Sequence, residues 1–345
     1  MSQAGCGRRA GGEQSKTLVE PTQRCCDQRQ RRTVLSETSW DQAADVAGRH
    51  ERQRGDQMFV EINDNSLNVE VLGPDGAPVI IVHHGGGGIG SLAEPKSSFG
   101  WLADTFRIVV YDARGCGISE GKPPYSHAQW AADLDGVRQW VGADQVIVAG
   151  GSYGGFIAME YAIAYPEHTR AMILRDTSPD SENLKLVFEN ARNQTRVNLN
   201  WDNFERYWTG HIRDDADLKA CWAEIAPLYS YEDNRERAAA RVENGSYRYE
   251  THNWCFQQNR VTYDVKPALP GVRCPTLITV GRHDWVTPVA MSETIAALIP
   301  DSQLVIFEKS GHSPPSDEPE LFRRVVRDFL AGVAPEASSA TSSRG

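Results

Sequence analysis

The chain has 345 residues, 40% of them apolar and 24% charged, with 36 Lys and Arg against 46 Asp and Glu for a formal charge of −10. A chain of this length and composition buries a large core and is neither fibrous nor wholly disordered. The acidic balance, with no clustered basic face, argues against nucleic acid as a partner, and no stretch approaches the roughly 18 apolar residues of a membrane span.

Residues 1–55 are rich in Arg, Gln, Ser and Gly, with 10 Lys and Arg against 7 Asp and Glu and no sustained apolar period. So polar a segment offers too little apolar surface to offset its ordering entropy, and it is expected to be a disordered extension. An Arg-rich targeting segment is the alternative, and Glu13, Glu20 and Asp27 weigh against it. The first twelve residues hold no signal-peptide core. The seven cysteines are scattered without a CxxC pair or a zinc spacing and read as free thiols in a reducing compartment, so a cytoplasmic protein is expected.

From residue 56 the pattern alternates strands with helices. Residues 59–62 and 68–72 read as a hairpin turning at Asp64-Asn65. Residues 79–82, 107–111, 145–149, 171–175 and 276–280 are apolar runs rich in β-branched residues, as in strands buried on both faces of a parallel sheet. Residues 304–307 read as a last strand, followed by a helix over 321–330. The expected fold is α/β, a mostly parallel doubly wound sheet formed by 56–180 and 267–333. Residues 181–266 carry 13 of the chain's 30 aromatic residues, which marks them as a separate helical cap inserted before the acid-bearing strand. The last residues, 334–345, read as a disordered tail.

Ligands of such sheets bind at the carboxyl ends of the strands, so the residues just after each strand matter most. After 145–149 comes Gly150-Gly151-Ser152-Tyr153-Gly154, a G-x-S-x-G turn into an apolar helix that ends at Pro166. That geometry projects a serine hydroxyl and makes Ser152 the candidate nucleophile. Two later strand ends carry His283-Asp284 and Gly311-His312, in the chain order Ser, Asp, His. His312 is the candidate general base and Asp284 the candidate acid, with Asp176 at another strand end as its rival.

The run His83-His84-Gly85-Gly86-Gly87-Gly88-Ile89-Gly90 supports two readings. With Asp112 about twenty residues on, it satisfies a dinucleotide fingerprint, although Pro95 interrupts the helix that should come next. As an HGGG-type loop it supplies oxyanion donors instead, with Gly86 giving one N–H and Tyr153 the other. The second reading also accounts for the later triad, and it requires neither cofactor nor metal.

Together His84-Gly85-Gly86, the segment from Asp112 to Ser119, Gly150 to Gly155 and Gly281-Arg282-His283-Asp284 resemble the α/β-hydrolase superfamily and, within it, the proline iminopeptidases. The resemblance covers residues 57–333 and implies release of N-terminal residues, typically proline, through an acyl-enzyme without a metal. That subfamily writes HGGPG where this chain has Gly87-Gly88. By the same resemblance Glu250 and Trp254, in the segment Glu250-Thr251-His252-Asn253-Trp254, would bind the substrate, with Glu250 gripping its α-ammonium. The expected partner is a small-molecule or short-peptide substrate, with no membrane involved. An esterase, lactonase or small-amide hydrolase remains open on the same residues, as does a non-catalytic receptor on the same fold.

Overall fold

The structure, a computed structural model, describes residues 41–44, 50–54 and 57–333. Among these, ten strands form one sheet: β1 (Asp41–Ala44), β2 (His50–Arg54), β3 (Gln57–Ile62), β4 (Asn65–Leu72), β5 (Val79–His83), β6 (Arg107–Tyr111), β7 (Val146–Gly151), β8 (Thr169–Arg175), β9 (Thr276–Gly281) and β10 (Ser302–Phe307). Their order is β1-β2-β3-β4-β6-β5-β7-β8-β9-β10. Pairings from β1 through to β6 are antiparallel, and those from β6 to β10 are parallel. The parallel strands are the apolar runs of the sequence, and β7 and β9 are buried at every position.

Helices cover both faces of the sheet. Before the cap lie α1 (Ala93–Phe99), α2 (His127–Val141) and α3 (Tyr153–Ala164); between β8 and β9 lie α4 (Asn183–Asn193), α5 (Trp201–Thr209), α6 (Asp215–Ile225), α7 (Arg235–Glu243), α8 (Tyr249–Trp254) and α9 (Arg260–Thr262). After β9 come α10 (Val289–Leu298), α11 (Pro314–Asp317) and α12 (Pro319–Val333). Trp130, Phe156, Tyr161 and Ile295 from α2, α3 and α10 fill one face, and Phe99, Phe322, Val326 and Leu330 from α1 and α12 fill the other. The inserted helices bury a core of their own around Phe204, Trp208 and Trp222, which reaches the sheet domain at Val286. No helix of the described residues is long and apolar enough to cross a membrane.

Two expectations are adjusted. The hairpin turns on Asn63-Asp64, both at positive φ, so β4 starts at Asn65, opposite Ile62. Two left-handed residues make the tight connection whose twist matches the strands, and Asn and Asp tolerate it. Strands β1 and β2 lie inside the segment expected to be disordered, added antiparallel to the free edge of β3. The rest of residues 1–55, like the tail expected over 334–345, lies outside the described residues.

Asp112, just past β6, is buried and ties three segments together. Its Oδ1 accepts the Leu92 N–H at 2.7 Å, and its Oδ2 accepts from Asn68 Nδ2 and the Ile118 N–H, each at 2.9 Å. This is a corrected role for a residue that the dinucleotide reading places on a ribose. No long helix opens at Gly90; the chain runs on to the seven-residue α1. Asp112→Ala is expected to lower stability by roughly 2–4 kcal/mol, because buried donors lose their acceptor. Urea unfolding midpoints at constant slope would measure it.

Candidate active site

Ser152, Asp284 and His312 each follow the carboxyl end of a parallel strand, β7, β9 and β10. Ser152 sits between β7 and α3 at φ 52°, ψ −121°, outside the regions that L-residues favour. The turn is this sharp because α3 presses against the end of β5: a Cβ on Gly154 would lie 2.3 Å from the His83 carbonyl oxygen. Ser152 donates its N–H to the Arg175 carbonyl at 2.8 Å, and its own carbonyl accepts from Thr177 Oγ1 at 2.8 Å. These bonds hold the strained residue in place.

His312 and Asp284 meet as expected, His312 Nδ1 lying 2.8 Å from Asp284 Oδ2. Asp284 is fixed by its own loop. Its Oδ1 accepts the N–H groups of Val286 and Thr287 at 2.8 and 3.0 Å, and Thr287 Oγ1 donates to Oδ2 at 2.7 Å. With Nδ1–H given to the carboxylate, His312 Nε2 carries the lone pair. It is buried without a partner among the described residues, in the wall of a cavity that Ser152 also lines.

Asp176, the rival acid, follows β8 and is fully buried at φ 47°. It accepts the Gly281 N–H at 3.0 Å and lies 3.4 Å from Arg175 Nη1. One ligand atom each of Asp176, Asp284 and His312 lies within 4.8 Å of the others, a spacing an ion could use, although the His312–Asp284 hydrogen bond already fills it. Of the two acids, Asp284 is the one hydrogen-bonded to the imidazole. Burial and the neighbouring Asp284 charge push the Asp176 carboxyl up to about 7.

Gly86 and Tyr153 both line the cavity. The Gly86 carbonyl accepts from Ile89 and Gly90, closing the glycine run into a turn, and Tyr153 opens α3, where first-turn N–H groups have no helical acceptor. His84 locks this loop to β6, with Nε2 accepting the Ala113 N–H at 3.0 Å and Nδ1 donating to the Gly85 carbonyl at 2.8 Å. Burial lowers its pKa and keeps the ring neutral, as that pairing requires.

The cavity holds about 680 Å³ between the strand ends and the cap. Tyr207, Trp208, Trp222, Tyr229 and Phe256 of the cap contribute aromatic side chains to its wall. Glu250 and Trp254 are not brought to it. Glu250 is exposed on α8 beside the Tyr249 hydroxyl, and Trp254 packs edge-on against Tyr125 at 5.7 Å. On this six-residue helix Thr251 and His252 face inward, which turns Glu250 outward.

Several site residues escape a reading of strand ends. Tyr229 packs edge-on against His312 at 5.1 Å and accepts the His312 N–H at 3.0 Å through its carbonyl. Arg175 is bound to Glu94 at 2.6 Å, both in the cavity wall. Thr287 has a sequence signal, since an Asp three residues ahead of a Thr suits a side-chain-capped turn.

A family model described as alpha/beta hydrolase fold matches residues 78–319. The proline iminopeptidase PfmaB of Pestalotiopsis fici is 32% identical over 276 residues, 79% of this chain and 98% of that protein. A 2-hydroxy-6-oxo-6-phenylhexa-2,4-dienoate hydrolase of Burkholderia cepacia is 27% identical, over 79% of this chain and 96% of that one. Among solved structures, a thermophilic esterase from Thermogutta terrifontis superposes with a TM-score of 0.64 at 24% identity, covering 81% of this chain and 100% of that one.

The raised Asp176 pKa has a measurable consequence. An acid whose folded pKa lies above its unfolded value binds the proton more tightly when folded, so it costs stability as pH rises from about 4 to about 7. Asp176→Asn removes that cost and keeps an oxygen for the Gly281 N–H. Its melting temperature relative to wild type is expected to rise steadily across this window, in calorimetric scans from pH 4 to pH 8.

Proposed function

The chain belongs to the α/β-hydrolase family, and from that premise we propose that it is a serine hydrolase working through an acyl-enzyme, with Ser152 as nucleophile, His312 as general base and Asp284 as the orienting acid. One observation carries the reading: the Asp284–His312 hydrogen bond leaves His312 Nε2 unpartnered in the cavity that Ser152 lines. His312 takes the Ser152 proton as Oγ attacks the substrate carbonyl, and Asp284 stabilises the imidazolium that forms. The N–H groups of Gly86 and Tyr153 hold the oxyanion. His312 then protonates the leaving group, and water, deprotonated by the same imidazole, hydrolyses the acyl-enzyme.

The cavity suits an ester, lactone or small amide. An aminopeptidase needs a carboxylate free to meet the substrate's ammonium, and Glu250 faces solvent. Glu94, the one acidic side chain in the wall among the described residues, is taken up by Arg175 at 2.6 Å and Ser98 Oγ at 2.8 Å. The aminopeptidase reading keeps one support, the proline iminopeptidases among the relatives.

Ser152→Ala is expected to lower turnover by about 10⁴–10⁶ and to abolish labelling by a fluorophosphonate. Undiminished labelling of that variant would remove the assignment. Asp284→Asn should cost about 10⁴ in kcat, since the wrong tautomer is favoured, and Asp176→Asn far less. On a panel of chromogenic substrates, esters and lactones should be cleaved faster than free aminoacyl anilides. The reverse ranking would restore the aminopeptidase.

A further inference from the structure

The cavity wall is unbalanced in charge. Arg175, Arg237, Arg241 and Arg260 line it against the single acid Glu94. It is unbalanced in hydrogen bonding as well. The buried side-chain atoms in this wall without a partner are Arg175 Nε, Trp208 Nε1, Arg241 Nη1 and Arg260 Nε, all donors, besides His312 Nε2, the base. Buried donors without acceptors are costly and mark where a ligand supplies the missing atoms.

The four guanidinium groups differ. Arg175 is paired with Glu94, and Arg237 with Asp317 at 2.8 Å. Arg260 is wedged between the Phe156 and Phe256 rings, at 5.3 and 5.7 Å, and donates to Asn183 Oδ1 at 2.6 Å. Arg241, on α7, makes no ion pair among the described residues. The carboxylates that act on it are already engaged, Glu94 as above and Asp317 by Arg237 and the N–H groups of Tyr231 and Gly311, each at 2.9 Å. Arg241 lies over the Tyr229 ring, 6.0 Å from its centroid, and Tyr229 in turn packs 5.1 Å from the His312 ring. Tyr229 thus touches both Arg241 and the imidazole, and all three line one cavity with Ser152.

We propose that the cavity selects acyl substrates carrying a second, unreacting carboxylate, and that Arg241 is the anchor that binds it, leaving the scissile carbonyl at Ser152. The anchor rests on the serine-hydrolase reading for its reaction but not for its binding. A guanidinium held on an aromatic face, with a terminal nitrogen unpartnered, is a planar receptor for a carboxylate.

The test compares 4-nitrophenyl hydrogen glutarate with 4-nitrophenyl valerate, which have the same acyl length with and without the charge. The wild type should favour the glutarate ester in kcat/KM. Arg241→Gln should lower the ratio of the two by roughly 30-fold or more, mainly through KM, and Arg241→Lys should fall between. With no ion pair among the described residues to lose and only its packing over Tyr229 changed, the glutamine variant should melt close to wild type; a large Tm drop with both esters slowed equally would make Arg241 a structural residue and overturn the anchor. So would a wild type that prefers the valerate ester. If neither ester is cleaved and no fluorophosphonate labels Ser152, the hydrolase reading falls on its own. Calorimetry then decides the anchor separately: glutarate binding that glutaramide lacks and Arg241→Gln loses supports it, and equal or absent binding overturns it.

Discussion

Ser152 is held in a backbone conformation that a residue with a side chain adopts only under constraint, and the rest of the site is arranged around that strain. A residue at φ 52°, ψ −121° costs of order 1–3 kcal/mol and persists only where its surroundings overdetermine it. Here the constraint is the parallel sheet. Strand β7 is buried at every position, α3 is pressed onto the end of β5 at Gly154, and the peptide groups of Ser152 are tied to Arg175 at the end of β8 and to Thr177 just past it. Another non-glycine residue at positive φ, Asp176, follows that neighbouring strand directly. The two bends lie side by side, and between them the chain leaves the sheet to form the site.

The electrostatics of the strand ends arise from the same crowding. Two buried carboxylates, Asp176 and Asp284, share one edge of His312, and like charges so close in a low dielectric do not both ionise readily. Their hydrogen bonds separate them. Asp284 accepts from two N–H groups, a hydroxyl and the imidazole, whereas Asp176 has one N–H at 3.0 Å and a guanidinium at 3.4 Å. Asp284 is thus the better hydrogen-bonded of the two, and it is the Asp176 carboxyl that burial and its neighbour's charge push up. Asp284 is the carboxylate hydrogen-bonded to His312, and Asp176 beside it has its carboxyl pushed up to about 7.

The features legible in the sequence were those that one segment encodes by itself. The β-branched runs gave the parallel strands, and the residues just after them gave Ser152, Asp284 and His312, because sheet topology brings successive strand ends together whatever the loops do. His84 and Gly86 were visible for the same reason. The hairpin turn was misplaced by one residue because Asn63, Asp64 and Asn65 all tolerate a left-handed backbone, and only the pairing of Ile62 with Asn65 decides among them. The cap was legible as a cap but not as a surface. Its helices bury residues on more than one side, so spacing alone could not tell that Glu250 faces solvent while His252, two residues on, is buried against the glycine loop.

Cap and loop have been shaped against each other, which is why the chain departs from the iminopeptidase pattern where it does. A Cβ on Gly87 would lie 2.4 Å from Cys255 Sγ, so the proline of HGGPG has no room at that position. The next residue, Gly88, accepts the Arg248 N–H at 2.7 Å through its carbonyl, and His252 lies 3.2 Å from the Gly87 carbonyl. The cap descends onto the glycine loop through these contacts, and Cys255 occupies the volume that a proline at position 87 would take. With that approach fixed, α8 turns Glu250 away from the cavity while α7 presents Arg241 to it. The glycine at position 87 and the charge facing the cavity are therefore tied to one cap, since Cys255 packs on the loop while α7 of the same cap carries Arg241.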